Sequence, residues 1–224
     1  MKFLISKKLI NSISNFRDRI FKKSGPTSGN ESMDKYFTLA RDNKTWEGAP
    51  DKDDFNWSIY HLHYRGEVEL GAKENTQTLR DGDYEFLNGE LVKTNKDILP
   101  LPANHRLPYE TILQLNPESV FELGVGNGML LNNIQTLSSE IKLSGIDLSE
   151  KQLEFLRESY PNLRADVRQY DATVPFDDSF QKVDLAYTHA VIMHIKTDDS
   201  HLVVLANLFN ISQKYVVLME NWQA

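Results

Sequence analysis

The carboxyl half of the chain alternates between short apolar runs and amphipathic stretches. Apolar runs of strand length lie at 119–123, 142–146, 182–188 and 214–219, with a weaker one at 164–169. Stretches with helical spacing of apolar residues lie between them, at 128–138, 150–158 and 198–210. Strands that alternate with helices usually pair in parallel. The sequence therefore predicts an α/β fold, a doubly wound and mostly parallel sheet with helices on both faces.

Two segments of mixed polar and apolar residues, just before the α/β region, predict a β-hairpin. Residues 83–87 and 90–94 flank the dipeptide Asn88-Gly89. A two-residue type I′ turn needs positive φ at both positions, which Asn and Gly tolerate. The following stretch, 109–115, has a helical pattern and is expected to stop at Asn116-Pro117.

The amino terminus has the pattern of a basic amphipathic helix. Its apolar residues recur at spacings of three and four: Ile5, Leu9, Ile13, Phe16 and Ile20. Residues 1–32 hold seven basic and two acidic side chains, a net charge of +5 that leaves −12 for the rest of the chain. The apolar stripe is expected to pack on the protein itself or on a partner. Peripheral contact of residues 1–23 with an anionic membrane surface is the alternative.

These patterns divide the chain into three segments. Residues 1–32 form the basic helix and a Ser/Gly/Pro-rich linker, 33–99 form a small α+β module with the hairpin, and 100–224 form the α/β domain. The module contains His61 and His63, whose spacing suits a metal pair on one strand face. No third ligand is evident nearby, so no metal site is expected.

Composition excludes several classes of function. The chain has 224 residues and no cysteine, which excludes a disulfide framework and a thiol nucleophile and fits a cytoplasmic protein. No apolar run approaches the roughly 20 residues that cross a bilayer. The net charge of −7 argues against general nucleic-acid binding.

The candidate chemistry begins where the first strand of the α/β domain ends. Glu122 in that strand is followed by glycines at every second position, Gly124, Gly126 and Gly128, and then by a helix. Glycines let the backbone turn sharply and approach a ligand closely. Asp147 ends the next strand, where a carboxylate can accept hydrogen bonds from both hydroxyls of a ribose.

These motifs resemble the class I S-adenosylmethionine-dependent methyltransferases over about residues 100–224. The resemblance rests on Glu122 with the three glycines, on Asp147, on the segment Tyr170-Asp171-Ala172 and on the strand and turn at 183–195. It implies S-adenosylmethionine as cofactor. It also implies that Asp171 meets the adenine amino group, and that a backbone amide of the segment containing Ala172 meets the ring.

Each motif also has a simpler interpretation. A nicotinamide-dependent oxidoreductase would place the third glycine one position later, where this chain has Met129. Asp171 could be only a turn residue, and Asp147 only an acid at a helix start, although Ser149 could cap that helix itself.

The resemblance is closest to bacterial enzymes that methylate small molecules, including precursors of sugars and surface polysaccharides. Residues 104–110 and 217–222 carry this likeness. Transfer to an oxygen or amine needs a base that removes the acceptor's proton. His189, His194 and Glu220 follow strand ends and are the catalytic candidates, with a small molecule as the acceptor.

The family usually continues beyond its fifth strand, whereas this sequence stops shortly after residues 214–219. That apolar strand would be an open edge. We expect the N-terminal module, a second copy in a homo-oligomer or a missing part of a longer protein to cover it. The alternative function is an inactive or truncated cofactor-binding protein with a regulatory or scaffold role.

Overall fold

The computed structural model describes Trp57, Arg65, residues 78–195 and residues 199–220. The basic helix predicted at 1–32, the pair His61 and His63, and most of the module at 33–99 lie outside the described residues.

The predicted hairpin is confirmed. Strand β1 (Tyr84–Leu87) pairs antiparallel with β2 (Glu90–Lys93), and Leu87 lies opposite Glu90. Asn88 and Gly89 have φ angles of 54° and 88°, the two positive values that a type I′ turn requires.

Helix α1 (Ala103–Leu115) starts six residues before the predicted position. The carbonyl of Pro102 accepts hydrogen bonds from the N–H groups of His105 and Arg106, so the first turn forms ahead of Pro108. Pro108 lies inside the helix, where it removes one intrahelical N–H donor. The helix ends as predicted, because Asn116 adopts a left-handed conformation before Pro117.

The α/β region forms one five-stranded sheet. Its elements, in chain order, are β3 (Ser119–Leu123), α2 (Met129–Leu137), β4 (Lys142–Asp147), α3 (Glu150–Ser159), β5 (Ala165–Gln169), β6 (Val183–His189), α4 (Ser200–Ile211) and β7 (Ser212–Met219). The strand order is β5-β4-β3-β6-β7, and every pairing is parallel. The predicted fold class is confirmed. Strands β4 and β5 are added on one side of β3, and β6 and β7 on the other, so the strand order reverses between β3 and β6. Open α/β sheets bind ligands at such a point.

Alternating strand residues separate two hydrophobic cores. Val120 and Leu185 face the core that α1, α2 and α3 cover, whereas Phe121 and Ala186 face the core that α4 covers. Helices therefore lie on both faces of the sheet, as the sequence pattern predicts.

The hairpin joins the first of these cores. Tyr84 and Leu91 are buried in the same cluster as Ile112 and Leu131. The Tyr84 hydroxyl accepts a hydrogen bond from the Leu101 N–H at 2.6 Å. The hairpin is thus packed on the α/β region, while the boundary expected at residues 99/100 stays a prediction.

Strand β7 is one of the two edges of the sheet within the described part of the chain. Tyr215 and Leu218 are exposed on it. What covers this edge stays a prediction. No helix among the described residues is long and apolar enough to cross a membrane.

Candidate functional site

Two adjoining cavities open at the carboxyl edge of the sheet, around the point between β3 and β6. The first has a volume of about 100 Å³ and the second about 210 Å³. Both are lined by Trp57, Gly124, His189, Ala190 and His194, so they form one cleft.

The glycine loop after β3 forms part of the floor of this cleft. Gly124, Gly126 and Gly128 have φ angles of 82°, 52° and 77°. Gly124 lines both cavities, and a Cβ there would collide with Val191. A Cβ on Gly128 would instead collide with the side chain of Leu156 in α3. The first glycine therefore permits Val191 to pack closely on the loop, and the last permits the close packing of Leu156 in α3 against the start of α2.

Asp147 connects the end of β4 to this loop. Its side chain is 7% exposed and lines the first cavity. Oδ2 accepts the N–H of Gly126 and Oδ1 accepts the N–H of Ser149, each at 2.9 Å. Burial raises the pKa of Asp147 to about 6, although the backbone donors oppose this. The Ser149 hydroxyl caps α3 by accepting the Gln152 N–H, so Asp147 is not needed as that cap.

Asp171 and Ala172 line the first cavity on the loop after β5. Asp171 Oδ1 accepts hydrogen bonds from the N–H and the hydroxyl of Thr173, at 2.9 and 2.6 Å. Asp171 is thus a turn residue, as the simpler interpretation suggested, and it also lines the cavity. Asn207 of α4 fixes the same loop, since its amide donates to the carbonyls of Ala172 and Val174. The sequence pattern gave no indication of this role for Asn207.

The second cavity has a buried polar floor. Glu122 is 1% exposed and lies opposite Tyr187 in the β3–β6 register. Within the described part of the chain, Glu122 Oε2 has no hydrogen-bond partner. Burial raises the pKa of Glu122 well above its ordinary value; the neighbouring Tyr187 hydroxyl partly opposes this, and the Asp147 carboxylate adds to it. Tyr109 of α1 lies beside it on the cavity wall, and its hydroxyl accepts the Asn133 amide at 2.8 Å.

Two of the three predicted catalytic side chains line the cleft. His189 ends β6, and burial lowers its pKa, while the Glu220 carboxylate partly opposes this effect. His194 closes the single 3₁₀ turn Ile192–His194 and packs edge to face against Trp57, with ring centroids 5.0 Å apart. A neutral imidazole at this position can accept a proton.

Glu220 lies behind the turn that carries these histidines. Its carboxylate accepts hydrogen bonds from the Thr188 hydroxyl and from the N–H groups of Val191 and Met193. Among the described residues that line either cavity, Glu220 does not appear.

Sequence reasoning missed several residues of the cleft. The missed lining residues include Trp57, His105, Tyr109, Asn127, Gln152 and Ala190. His105 and Tyr109 fall in the segment 104–110 that carried the family likeness, so a signal was present for these two. Trp57 comes from a distant part of the chain, and no local pattern could connect it to the glycine loop.

Residues 120–213 match the sequence model of a family described as "Methyltransferase domain". This match agrees with the expected resemblance to methyltransferases over residues 120–213. A search of curated proteins finds no match.

Several solved structures are similar to the chain at low identity. The methyltransferase domain of bacterial CtHen1-C is 22% identical, covers 49% of this chain and 60% of its own, and has a TM-score of 0.44. DesVI from Streptomyces venezuelae is 18% identical, with coverage of 52% and 50% and a TM-score of 0.44. CalS10, an amino pentose methyltransferase from Micromonospora echinaspora, is 15% identical, with coverage of 54% and 52% and a TM-score of 0.46. The chain thus spans 60% or less of the length of these three structures.

Proposed function

We propose that this chain transfers the methyl group of S-adenosylmethionine to a small molecule bound in the cleft. The observation that carries the proposal is the position of the cleft, at the carboxyl edge of the sheet where the strand order reverses, with carboxylates in both of its halves. The residues present fit the cofactor, because the carboxylates of Asp147 and Asp171 line the first cavity and can accept hydrogen bonds from hydroxyl and amino groups.

The first cavity would hold the adenosine part of the cofactor. A carboxylate offers about four acceptor positions, so Asp147 can accept ribose hydroxyls beside its two backbone donors. Asp171 and Ala172 would meet the adenine. Gly124 also lines this cavity, and its lack of a side chain leaves room for Val191 beside it.

The second cavity would hold the acceptor next to the reacting methyl group. When bound, the cofactor supplies a sulfonium methyl carbon, which moves to the acceptor's oxygen or nitrogen while the carbon–sulfur electron pair stays on sulfur. His189 is positioned to take the proton that the acceptor loses, and its lowered pKa keeps the imidazole neutral near pH 7. His194 and Trp57, in edge-to-face contact, line the cavity as well and limit access of water.

The lining of the second cavity favours a small polar acceptor, such as a precursor of a sugar or a surface polysaccharide. His105, Glu122 and Asn127 offer hydrogen-bonding groups, and Trp57 offers an apolar face. A site of this kind suits a ring that bears hydroxyl or amino groups.

Calorimetry with S-adenosylhomocysteine, followed by assays with panels of sugar nucleotides and amines, tests the proposal. We expect binding at micromolar concentration and methyl transfer to at least one panel member, with loss of transfer in His189→Ala. A chain that does not bind S-adenosylhomocysteine would contradict the function. Binding without transfer to any acceptor would favour the alternative, an inactive cofactor-binding protein.

A further inference from the structure

The turn that follows β6 forms a shared wall of both cavities. We call residues 189–194 the β6 turn. His189, Ala190 and His194 of this turn line both cavities, and Val191 lines the first. The shape of the β6 turn therefore affects the cofactor half and the acceptor half of the cleft together.

This turn has a conformation that needs outside support. Ala190 has a φ of 56°, in the left-handed region that residues with a Cβ rarely adopt. Val191 is packed against Gly124 so closely that a Cβ on the glycine would collide with it. The Ala190 N–H donates to the carbonyl of Met219, the last residue of β7.

Glu220, the next residue, provides most of this support. Its Oε1 accepts the Thr188 hydroxyl at 3.2 Å and the Val191 N–H at 3.1 Å, and its Oε2 accepts the Met193 N–H at 3.2 Å. One carboxylate thus binds donors on both sides of the left-handed residue. Hydrogen bonds to an ionised acceptor are stronger than those between neutral groups.

We propose that Glu220 is a positioning residue whose carboxylate holds the β6 turn in the shape that forms the cleft wall. The inference rests on the proposed function and gives Glu220 a role other than proton transfer. Both of its oxygens already accept hydrogen bonds from the turn, and it lines neither cavity within the described part of the chain.

The test compares variants of Glu220 with a matched control at the other end of β6. Asp184 also accepts a backbone N–H, that of Glu118, and contacts Lys214, but it lies far along the strand from the turn. Asp184→Asn therefore controls for general loss of stability. The measurements are S-adenosylhomocysteine affinity by calorimetry, melting temperature, and amide exchange of Val191 and Met193 in the free protein.

We expect Glu220→Ala to expose both amides to exchange and to weaken binding roughly tenfold, about the effect of one net hydrogen bond to a charged group. Glu220→Gln retains one acceptor oxygen, so it should protect the Val191 amide, lose protection at Met193 and bind closer to the wild type. Asp184→Asn should leave both amides and the affinity unchanged. If Glu220→Ala does not fold, Thr188→Val, which removes one of the three donors, replaces it with a smaller expected effect in the same direction.

Wild-type affinity in Glu220→Ala, or an equal loss of affinity in Asp184→Asn, would overturn the inference. Wild-type protection of both amides in Glu220→Ala would overturn it as well. Failure of the wild-type chain to bind S-adenosylhomocysteine would instead contradict the proposed function, and the amide exchange would then decide the role of Glu220 alone.

Discussion

At the scale of single residues, the cleft contains two buried carboxyl groups in different surroundings. Asp147 accepts two backbone N–H groups that favour its ionised form, so its pKa rises only to about 6. No backbone N–H among the described residues donates to Glu122 Oε2, and burial raises the pKa of Glu122 well above its ordinary value. At neutral pH, Asp147 is therefore mainly ionised, whereas burial shifts Glu122 toward its protonated form.

Substitution of Asp147 tests its proposed role at the ribose. Asp147→Ala should weaken S-adenosylhomocysteine binding by roughly 1.5 to 3 kcal/mol, because two hydroxyls lose a charged acceptor. In the wild type, affinity should fall as the pH drops below about 6, where Asp147 becomes protonated. Asp147→Asn should bind weakly without this pH dependence. Calorimetry between pH 5 and 8 measures both effects, and unchanged affinity in Asp147→Ala would contradict the assignment.

Substitution of Glu122 tests the effect of its burial on stability. A carboxyl group whose pKa is raised by folding makes the free energy of unfolding fall as the pH rises from its unfolded pKa toward its folded pKa. The slope is at most about 1.4 kcal/mol per pH unit. Glu122→Gln removes the titration, so the variant should gain stability relative to the wild type between pH 5 and 8.

Denaturant melts of Glu122→Gln across this pH range provide the measurement. Glu140→Gln, a change at an exposed site, is the control, and its curve should run parallel to that of the wild type. A constant difference between Glu122→Gln and the wild type would mean that burial does not shift the titration of Glu122.

At the scale of elements, the three loop glycines have similar backbone angles and different surroundings. Gly126 donates its N–H to Asp147, in the middle of the loop. Gly128 lies against Leu156, and neither Gly126 nor Gly128 is among the described residues that line the cleft. The middle glycine thus contacts a carboxylate of the cleft, whereas the last permits the packing of Leu156.

The pair Gly126→Ala and Gly128→Ala tests this division. Both positions have positive φ, so either alanine should cost about 1 kcal/mol or more of stability. Gly126→Ala should also weaken S-adenosylhomocysteine binding at least tenfold, because the loop must move away from Asp147. Gly128→Ala should lose more stability, since Leu156 must shift, yet keep its affinity per folded molecule. Melting temperature and calorimetry on each variant distinguish these outcomes, and equal affinities would contradict the division.

Elements with local signals were predictable from the sequence, and contacts between distant elements were not. Asn88-Gly89 defines the hairpin turn by itself, and the apolar runs define the five strands. The predicted start of α1 was wrong. The helix begins after Pro102, in a segment whose sequence could not be distinguished from that of a loop. Asn207 and Glu220 act through hydrogen bonds to residues that are distant in sequence. The packing of α4 and β7 brings these hydrogen-bond partners together, and no local sequence pattern indicates that packing.

At the scale of the whole molecule, basic and acidic residues are unevenly distributed along the chain. The net charge of the chain is −7, although residues 1–32 carry +5. The described residues that line the cleft belong to the acidic part of the chain, beyond residue 32, and include the carboxyl groups of Glu122, Asp147 and Asp171. A basic segment attached to an acidic domain is therefore expected to act separately from cofactor binding.

Deletion of residues 1–32 tests this separation. Affinity for S-adenosylhomocysteine should stay within about twofold of the full chain, because the described residues that line the cleft all lie beyond the deletion. If residues 1–23 contact membranes, the full chain should co-sediment with vesicles rich in phosphatidylserine at low salt and be released at high salt, since each basic residue near such a surface contributes about 1 kcal/mol. The deleted chain should then stay in the supernatant. Absence of co-sedimentation by the full chain at low salt would exclude the membrane contact and leave packing on the protein or on a partner. A large loss of cofactor affinity on deletion would show that the basic helix supports the cleft.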